Sequence, residues 1–442
     1  MSRRIAVFGT GYLGATHAAC MAELGHEVVG VDVDEGKLAK LAAGELPFYE
    51  PGLPEVLQRN IEAGRLQFTT SYREAAEFAD VHFIAVGTPQ KHGELGADLR
   101  FVDAVVETLA PLITKPSIIF GKSTVPVGTA ARLATRAKEL APAGQEVALA
   151  WNPEFLREGF AVKDTLHPDR IVLGADADAR LMAESAAREV YAALLDDHIP
   201  FLVTDLSTAE LVKTSANAFL ATKISFINAI AEVCEAAGAD VIMLADAIGH
   251  DARIGRRFLN AGIGFGGGCL PKDIRGFIAM AGELGAGQAF GLLREVDSIN
   301  MRRRNKMVEL AREAAGGSFV GSRVAVLGAA FKPDSDDVRD SPALNIAGQI
   351  QLQGAAVSVY DPEAMQNARQ LFPTLQYAPD VAAACAGADL VMVLTEWKQF
   401  MALSPQDLSE QVRQRMIIDG RNCLDPREWR QAGWTYKGIG RP

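Results

Sequence analysis

The sequence predicts an α/β protein in which two Rossmann-like, doubly wound parallel-sheet domains are joined by a helical central domain with a long connecting helix. Short β-branched runs alternate with longer amphipathic stretches near both ends of the chain, a rhythm that is typical of βαβ units. Between these two regions the pattern becomes that of one long helix. A chain of 442 residues also needs more than one hydrophobic core.

The strands and the helix follow from the apolar pattern. Strands are predicted within "RIAVFG" (4–9), "EVVGVD" (27–32), "VHFIAVG" (81–87), "SIIFGKS" (117–123) and "VALAWNP" (147–153). The segment from Thr204 to Ala237 is predicted to be one helix, opened by an Asp or Ser cap and closed near Gly238. Further strands are predicted within "SRVAVLGAAFKP" (322–333), "AAVSVYDP" (355–362), "ADLVMVLTEW" (388–397) and "RMIIDGRN" (415–422). We place the three domains at 1–200, 201–300 and 315–442.

The charge and cysteine content of the chain limit its binding partners and its cellular compartment. The chain carries 44 Lys and Arg against 55 Asp and Glu, a formal charge of −11, which disfavours nucleic acid and anionic membranes. The local clusters "RIGRR" (253–257) and "RRR" (302–304) remain candidates for binding a phosphate. Five scattered cysteines do not form a secreted disulfide pattern. With no signal-peptide core and no membrane-spanning run, we expect a soluble, cytoplasmic protein.

A glycine motif near the start predicts a dinucleotide site. Gly9, Gly11 and Gly14 have the spacing G-x-G-x-x-G between an apolar strand and an alanine-rich helix, which permits a tight turn and a close approach of a pyrophosphate. Asp32 ends the next predicted strand, where an acid binds a ribose diol and repels a 2′-phosphate. NAD is therefore expected rather than NADP. The second lobe has a single Gly328 in its turn, a poorer dinucleotide cradle.

Cys269 is a candidate nucleophile. It stands in "GFGGGCLPKD" (264–273), behind three glycines and ahead of a proline, a lysine and an aspartate. Pro271 suits the first turn of a helix, and a thiol at a helix N-terminus beside a lysine has its thiolate favoured. We expect the glycines at 266–268 to leave space for a ligand, and Asp273 to be a base or an orienting group. The other four cysteines are expected to be buried hydrophobes.

A nicotinamide site and a nucleophilic cysteine together suggest a four-electron oxidation. Removing one hydride from a primary alcohol gives an aldehyde, whose carbon must become tetrahedral before a second hydride can leave. A thiolate makes it tetrahedral as a thiohemiacetal. Loss of the second hydride then gives a thioester, which water converts to an acid.

The chain resembles the UDP-glucose/GDP-mannose dehydrogenase family over nearly its whole length. The shared motifs are, in order, "GTGYLG", "PFYEPGL", "VGTP", "GKSTVPVGT", "NPEFLREG", "HPDRIVLG", "ELVKTSANAF", "GFGGGCLPKD", "AFKPDSDDVRDSP" and "DGRN". The resemblance implies NAD-dependent oxidation of the C6 alcohol of a nucleotide sugar to a carboxylate, with release of two NADH. It favours UDP-glucose as the substrate and UDP-glucuronate as the product. It also implies that the first domain binds NAD, the central one supplies the catalytic Lys, Asn and Cys and the dimer contact, and the last binds the nucleotide sugar.

The resemblance further implies roles for single residues. Cys269 matches the nucleophile, and residues that match groups holding a water, stabilising oxyanions or moving protons are Thr124, Glu154, Glu158, Lys213, Asn217 and Asp273. Matched NAD contacts are Gly9, Gly11, Tyr12, Leu13, Gly14, Asp32, Lys37, Thr88, Ser123, Thr124, Glu158, Lys272 and Arg339. Matched substrate contacts are Glu154, Phe155, Leu156, Arg157, Glu158, Lys213, Asn217, Phe265, Gly266, Phe331, Lys332 and Arg421. Arg253 matches an arginine that reaches a neighbouring subunit's substrate, which implies at least a homodimer. No metal site is predicted.

The residues alone leave several of these assignments open. Lys213 and Asn217 are four apart and share one helix face, although a helical lysine is ordinarily a solvated surface group. Glu154 and Glu158 fit either a capped helix start with surface carboxylates or two acids facing one cavity. Which of these acids, or Lys213, acts as the base in each step is not decided by the sequence. Two departures from the family pattern are Gly268, where serine is usual, and "VGTP" in place of "VNTP".

Three alternatives compete with this interpretation. The nearest is the same chemistry on GDP-mannose or a UDP-N-acetylhexosamine. A two-electron hydroxyacid dehydrogenase also joins a Rossmann lobe to a helical domain, but it needs neither Cys269 nor a second α/β lobe. A regulator that binds NAD or a nucleotide sugar without turnover is disfavoured because the set of candidate catalytic residues is complete.

Overall fold

The computed structural model describes residues 2–288 and 291–442. The chain divides into two compact units, one of Met1–Ala216 with Arg275–Leu284 and one of Asn217–Ile274 with Gly285–Pro442. Helices α10 (Leu206–Ala237) and α12 (Leu270–Glu283) each contribute residues to both units. The division into domains at 1–200, 201–300 and 315–442 stays a prediction.

The first unit is built on one sheet. Its strands are β1 (Arg4–Phe8), β2 (Glu27–Val31), β3 (Leu66–Thr69), β4 (Val81–Ile84), β5 (Ser117–Gly121), β6 (Val147–Trp151), β7 (Ile171–Gly174) and β8 (Phe201–Thr204). In the described part of the chain these eight strands lie in the order β3-β2-β1-β4-β5-β6-β7-β8. The first six are parallel in the doubly wound order 3-2-1-4-5-6. The last two are parallel to each other but antiparallel to β6, so the expected parallel sheet ends in a reversed pair.

Helices cover both faces of this sheet. They are α1 (Tyr12–Glu23), α2 (Glu35–Ala42), α3 (Leu53–Glu62), α4 (Tyr72–Phe78), α5 (Arg100–Leu109), α6 (Thr129–Leu140), α7 (Ala161–Leu166), α8 (Arg180–Val190) and α9 (Ala192–Asp196). Along β1, Ile5 and Val7 belong to one hydrophobic cluster, whereas Ala6 and Phe8 belong to another. A strand buried on both faces is a continuous apolar run in the sequence, and this is why the central strands were predictable.

The second unit repeats the plan on a smaller sheet. Its strands are β9 (Arg323–Leu327), β10 (Ala356–Tyr360), β11 (Gln376–Tyr377), β12 (Leu390–Val393), β13 (Met416–Asp419) and β14 (Thr435–Gly438). Among the described residues these six strands are all parallel, in the order β11-β10-β9-β12-β13-β14. Its further helices are α11 (Val241–Gly249), α13 (Gly291–Ala314), α14 (Pro342–Leu352), α15 (Met365–Leu371), α16 (Val381–Cys385), α17 (Lys398–Met401), α18 (Pro405–Ser409) and α19 (Pro426–Gln431).

The long helix has the predicted ends. The carboxylate of Asp205 accepts a hydrogen bond from the backbone N–H of Thr208 at 2.8 Å, as an N-cap does. Gly238 follows the helix with a φ of +70°, which favours glycine. Two doubly wound sheets and this helix confirm the predicted fold class. Within residues 2–288 and 291–442, no helix is both long enough and apolar enough to cross a membrane.

Candidate active site

The glycine turn of the first unit is shaped to receive a phosphate. Gly9 has a φ of +90°, and its N–H donates to the carbonyl of Val31 at 2.8 Å. A Cβ on Gly14 would lie 1.7 Å from the carbonyl oxygen of Gly9, whereas a Cβ on Gly11 would meet nothing within 4 Å. Gly11 precedes α1, which has no side-chain cap. The helix N-terminus is therefore open, and the turn fits the pyrophosphate of a dinucleotide.

Asp32 lies at the edge of this turn, as predicted. Its carboxylate accepts hydrogen bonds from the N–H of Thr10 at 2.8 Å, the ammonium of Lys37 at 3.0 Å and the N–H of Asp34 at 3.1 Å. Burial would raise the pKa of Asp32, but these donors outweigh burial and hold the pKa below its usual value. An ionised carboxylate with Lys37 beside it fits the binding of a ribose diol.

Tyr12 and Leu13 begin α1, and Tyr12 is tied to an acid that sequence reasoning missed. The hydroxyl of Tyr12 donates to Glu50, whose carboxylate also accepts the N–H groups of Gly159 at 2.6 Å and Ala161 at 2.7 Å. Burial, reinforced by Glu50, raises the pKa of Tyr12, and burial raises that of Glu50. Glu50 therefore connects the start of α1 to the loop that carries Glu158. Its position inside "PFYEPGL" was the available signal.

The hydroxyl groups predicted to contact NAD are held by backbone carbonyls. Thr88 is buried and donates to the carbonyl oxygen of Thr124 at 2.8 Å. Ser123 is buried and donates to the carbonyl oxygen of Val86 at 2.7 Å. The half-buried Thr124 follows Ser123 after the end of β5. These bonds fix the loops that continue β4 and β5, where a doubly wound sheet binds its ligand.

A buried lysine lies behind these loops. Lys122 is 7% exposed, and its ammonium donates to Oδ1 of Asn152 at 2.9 Å. Burial lowers its pKa to about 8; the negative charge of Glu154 works in the opposite direction, and Lys213 adds to the lowering. No candidate role was given to Lys122 or Asn152, although a charged residue directly after an apolar strand run was a usable signal.

Glu154 and Lys213 form a buried ion pair. The ammonium of Lys213 lies 2.9 Å from Oε1 of Glu154, and their side chains are 6% and 12% exposed. The ammonium also lies 5.7 Å from the ring centre of Phe155, and the other oxygen of Glu154 accepts the N–H of Leu156 at 2.8 Å. Lys213 is therefore not a solvated surface lysine, and Glu154 is not a surface carboxylate. A carboxylate beside an ammonium can accept a proton and stabilise an oxyanion.

The neighbours of this pair differ in exposure. Glu158 is buried. The side chain of Arg157 is 54% exposed and is paired with Asp164 at 2.6 Å. Phe155 is stacked under the guanidinium of Arg170 at 3.9 Å.

In the second unit Cys269 directly precedes α12, as predicted. The carbonyl oxygen of Cys269 accepts the N–H of Asp273 at 2.9 Å, the first bond of the helix. Asp273 and Asn217 are both buried, and the amide of Asn217 donates to Asp273 at 2.6 Å. The ammonium of Lys272 lies 3.2 Å from the other oxygen of Asp273. The thiol itself is exposed, whereas Cys20, Cys234 and Cys385 are buried as expected and Cys423 is half-buried.

The glycines before Cys269 do not leave the open space that we expected. A Cβ on Gly266 would lie 2.4 Å from the carbonyl oxygen of Asp340, and one on Gly267 would lie 2.8 to 2.9 Å from the ring of Phe331. A Cβ on Gly268 would lie 2.2 Å from the guanidinium carbon of Arg339. Glycine is required at 266 and 267 because the chain's own backbone and ring atoms pack there, whereas at 268 the group in the way is the end of the exposed Arg339 side chain. The expectation was wrong because the sequence does not tell which residues pack against a loop.

The contacts around Gly268 bear on one departure from the family pattern, the glycine at a position where serine is usual. Arg339 occupies the position that a side chain at 268 would take, and it is held there by Asp337 through two side-chain bonds of 2.9 and 2.7 Å. Asp337 also accepts the N–H of Gly268 at 3.2 Å. A serine at 268 would require this exposed arginine to move.

The predicted sugar-binding residues of the second unit fall into two groups. Phe265 belongs to the loop before Cys269, and the ring of Phe331 and the guanidinium of Arg421 contact this loop at Gly267 and Gly264. Arg421 donates to the carbonyl oxygens of Leu394, Phe331 and Gly264 at 2.9, 3.0 and 3.3 Å. The ammonium of Lys332 lies over the ring of Phe331 at 5.2 Å. Arg253 is not with them: its side chain is 89% exposed and is paired with Asp251.

The "RRR" cluster is not a phosphate site. The side chains of Arg303 and Arg304 are 1% and 2% exposed and form ion pairs with Glu232 and Asp340, while the exposed Arg302 is paired with Glu295. In "RIGRR", Arg253 and Arg256 are each paired with an aspartate.

Among the described residues there is no group of three or more His, Cys, Asp or Glu that could hold a metal.

Family models match three successive stretches of the chain. The NAD binding domain of the UDP-glucose/GDP-mannose dehydrogenase family matches residues 3–195. The central domain of this family matches residues 207–302. Its UDP binding domain matches residues 325–426.

Known proteins match the chain over its length. A UDP-glucose 6-dehydrogenase of Rhizobium meliloti (strain 1021) is 42% identical over 440 residues, which are 99% of this chain and 100% of the relative. The UDP-glucose 6-dehydrogenase TuaD of Bacillus subtilis (strain 168) is 41% identical over 442 residues, which are 100% of this chain and 94% of the relative. The structure of a UDP-glucose dehydrogenase from the hyperthermophilic archaeon Pyrobaculum islandicum aligns with a TM-score of 0.91 and 38% identity, covering 100% of this chain and 98% of that one. The chain therefore belongs to the UDP-glucose/GDP-mannose dehydrogenase family.

Proposed function

We propose that this chain is an NAD-dependent UDP-glucose 6-dehydrogenase that converts UDP-glucose to UDP-glucuronate in a four-electron oxidation. The observation that carries the proposal is the 42% identity to a UDP-glucose 6-dehydrogenase over 99% of the chain. The open turn at Gly11 and the exposed Cys269 ahead of α12 support it independently.

NAD would be held by the turn Gly9–Gly14 and by Asp32 with Lys37, and when bound it accepts the hydride of each oxidation. Thr88, Ser123, Thr124, Glu158, Lys272 and Arg339 remain further proposed contacts. The turn offers the backbone N–H groups at the uncapped start of α1 and the dipole of that helix to the pyrophosphate. Asp32 receives the ribose hydroxyls.

The first oxidation needs a proton acceptor close to the C6 hydroxyl. The Glu154–Lys213 pair offers one, because the carboxylate can take a proton while the ammonium stabilises the developing alkoxide. Asn217 lies four residues after Lys213 on α10 and holds Asp273. Asp273, Glu158 and Thr124 complete the proposed set that moves protons and holds the water.

The second oxidation needs Cys269. Its thiolate forms a bond to the aldehyde carbon, the carbonyl π electrons move to oxygen, and that oxygen takes a proton to give a thiohemiacetal. Loss of hydride from this carbon, with loss of the hydroxyl proton, leaves a thioester. Water then attacks the acyl carbon, the C–S bond breaks, and the thiolate and the carboxylate are released.

Substitution of the thiol tests this route. We expect Cys269→Ser to bind NAD and UDP-glucose with unchanged affinity but to form UDP-glucuronate at least about 10³-fold more slowly. Cys423→Ser, a half-buried thiol of the same unit, is the matched control and should leave the rate unchanged. Acid formation by Cys269→Ser within tenfold of the native rate would contradict the thioester route. Turnover of GDP-mannose or a UDP-N-acetylhexosamine in preference to UDP-glucose would replace the substrate and keep the chemistry.

A homodimer is the proposed assembly. Phe219, Phe226 and Val233 repeat every seven residues along α10 and are 66%, 50% and 61% exposed. Such a stripe of apolar side chains marks an interface, and we assign it to a second copy of the chain, with Arg253 reaching the neighbouring substrate. Light scattering should give twice the chain mass of 47.3 kDa, and Phe226→Glu should shift it to the monomer mass. Leu352→Glu, at an apolar residue that is 88% exposed, is the control and should remain dimeric.

A cytoplasmic location is proposed with it. The cysteines are scattered, and none of the five is in a disulfide, as is usual in a reducing compartment. The division into an NAD-binding segment, a central segment and a sugar-binding segment at 1–200, 201–300 and 315–442 also remains a proposal.

A further inference from the structure

The loop before Cys269 is held by a buried amide on α13. The N–H of Phe265 donates to Oδ1 of Asn300 at 2.7 Å, and Nδ2 of Asn300 donates back to the carbonyl oxygen of Phe265 at 2.9 Å. Asn300 is 0% exposed. A Cβ on Gly264 would lie 2.4 Å from Oδ1 of Asn300. One planar amide therefore fixes both the position and the orientation of the backbone at Phe265.

An arginine one turn later holds the same carbonyl. Arg304 donates to the carbonyl oxygen of Phe265 at 3.4 Å, to the carbonyl oxygen of Asp340 at 3.3 Å and to the carboxylate of Asp340 at 2.7 Å. The carbonyl of Asp340 is also the group that packs against Gly266. Arg304 thus joins the loop to the segment that covers it.

These contacts matter because Cys269 directly follows this loop. The backbone that carries the thiol runs from Gly264 to Gly268, and it is positioned by Asn300, Arg304 and the residues packed against the glycines. Formation of the C–S bond depends strongly on the placement of the reacting atoms. Hydride transfer between the C6 alcohol and the aldehyde does not involve the sulfur.

We propose that Asn300 and Arg304 are positioning residues for the thiolate of Cys269, needed for oxidation of the aldehyde and not for its reduction. The proposal rests on the proposed function of the chain. We assign neither residue a catalytic role, because both are buried and act through the backbone of the loop that carries the thiol. Their loss should separate two activities that use the same aldehyde and the same cofactor.

The test compares both activities in one enzyme preparation. The aldehyde derived from UDP-glucose is supplied with NAD, to measure oxidation to the acid, and with NADH, to measure reduction to UDP-glucose. Asn300→Asp keeps the acceptor for the N–H of Phe265, removes the donor and places a carboxylate oxygen against a carbonyl. We expect oxidation to fall at least about tenfold relative to reduction. A loss of folded protein would lower both rates equally and leave their ratio unchanged.

Asn228→Asp is the matched control. Asn228 is also 0% exposed and accepts the N–H of Gly262 at 2.8 Å. Among the described residues its Nδ2 has no hydrogen-bond partner, so the aspartate keeps the one bond that Asn228 makes. The ratio of the two activities should stay at the native value.

A second readout does not depend on turnover. Amide hydrogen exchange of the peptide 262–270 should be faster in Asn300→Asp than in Asn228→Asp, because the N–H of Phe265 is then less protected. An unchanged activity ratio and unchanged exchange in folded Asn300→Asp would overturn the proposal. If that variant does not fold, Arg304→Lys decides by the same ratio, since lysine keeps the charge but cannot bridge both carbonyls.

Failure of the proposed function would be recognised separately. The native protein would then not oxidise the aldehyde, whereas the exchange comparison would still report whether Asn300 holds the loop.

Discussion

The two sheets of this protein have the same backbone turn after their first strand, but the two turns serve different purposes. In the first unit Gly9 follows β1 with a φ of +90° and donates to Val31 at 2.8 Å; in the second unit Gly328 follows β9 with a φ of +110° and donates to Tyr360 at 2.8 Å. An aspartate follows the neighbouring strand in both, Asp32 after β2 and Asp361 after β10. The difference lies in what these groups contact.

The turn at Gly9 leads directly into an uncapped helix, whereas the turn at Gly328 is followed by a longer segment and a capped helix. Helix α1 begins at Tyr12, three residues after Gly9, without a side-chain cap. Helix α14 begins at Pro342, fourteen residues after Gly328, and its first turn is capped by Ser341. Asp361 is 0% exposed, and five donors surround it: the N–H groups of Ala329, Ala330, Glu363 and Ala364 and the indole of Trp397.

The comparison shows how one architecture serves two purposes. An uncapped helix directly after the turn leaves donors for a pyrophosphate. A longer segment between the turn and the helix removes that site but brings Phe331, Asp337 and Arg339 against the loop before Cys269. The expectation that Gly328 would be a poorer dinucleotide cradle agrees with this arrangement.

The largest expected effect is a loss of stability when a methyl group is added in the glycine turn of the first unit. Gly14→Ala forces a methyl group to within 1.7 Å of the carbonyl oxygen of Gly9, so urea unfolding should show a loss of more than about 3 kcal/mol. Gly11→Ala is the matched change, because its methyl meets nothing within 4 Å and the φ of −68° suits alanine. It should leave stability within about 0.5 kcal/mol but weaken NAD binding. Native stability of Gly14→Ala would contradict the packing.

The next effect separates the two aspartates. Asp361→Asn places an amide N–H₂ among buried donors and should cost about 2 to 3 kcal/mol of stability, with NAD affinity unchanged. Asp32→Asn should weaken NAD binding about tenfold, or 1.4 kcal/mol, with a smaller loss of stability. Calorimetric titration with NAD and urea unfolding measure both quantities. Equal effects of the two changes on NAD binding would show that the two turns do not differ in their contribution to NAD binding.

The smallest effect concerns the cation that follows the fifth strand of each sheet, Lys122 after β5 and Arg421 after β13. Burial lowers the pKa of Lys122 from 10.5 to about 8. Between these two values the unfolded chain holds more protons, so native stability should rise with pH from 8 towards 10.5. Lys122→Met should lack this rise, changing the difference in thermal midpoints between pH 7 and pH 10 by about 2 to 4 °C. Parallel pH profiles would mean that Lys122 stays charged throughout.

The sequence predicted the interior of both sheets well and their margins poorly. Strands β1, β2, β4, β5 and β6 are near-continuous apolar runs because both faces are buried, and the polar residue inside β4, His82, is itself buried. Strands β3 and β11 lie at sheet edges, and their short segments have exposed or half-buried residues. The reversal at β7 was not predictable, since an apolar run carries no information about strand direction.

The site was predictable where a motif is local and unpredictable where contact depends on packing. Gly9, Gly11 and Gly14 lie within one turn, and Cys269 lies next to its helix. By contrast, the Glu154–Lys213 pair joins residues 59 positions apart, and its roles came from the family resemblance. Asn300 carried no signal, because an amide in an amphipathic helix is usually a surface residue.

The most direct test of the central claim is a count of NADH. The purified chain is incubated with excess NAD and limiting UDP-glucose, beside GDP-mannose and UDP-N-acetylhexosamines, and the NADH formed is divided by the sugar consumed. The account predicts two NADH per UDP-glucose, with UDP-glucuronate as the product. One NADH per sugar, with an aldehyde as the product, would contradict the thioester route through Cys269.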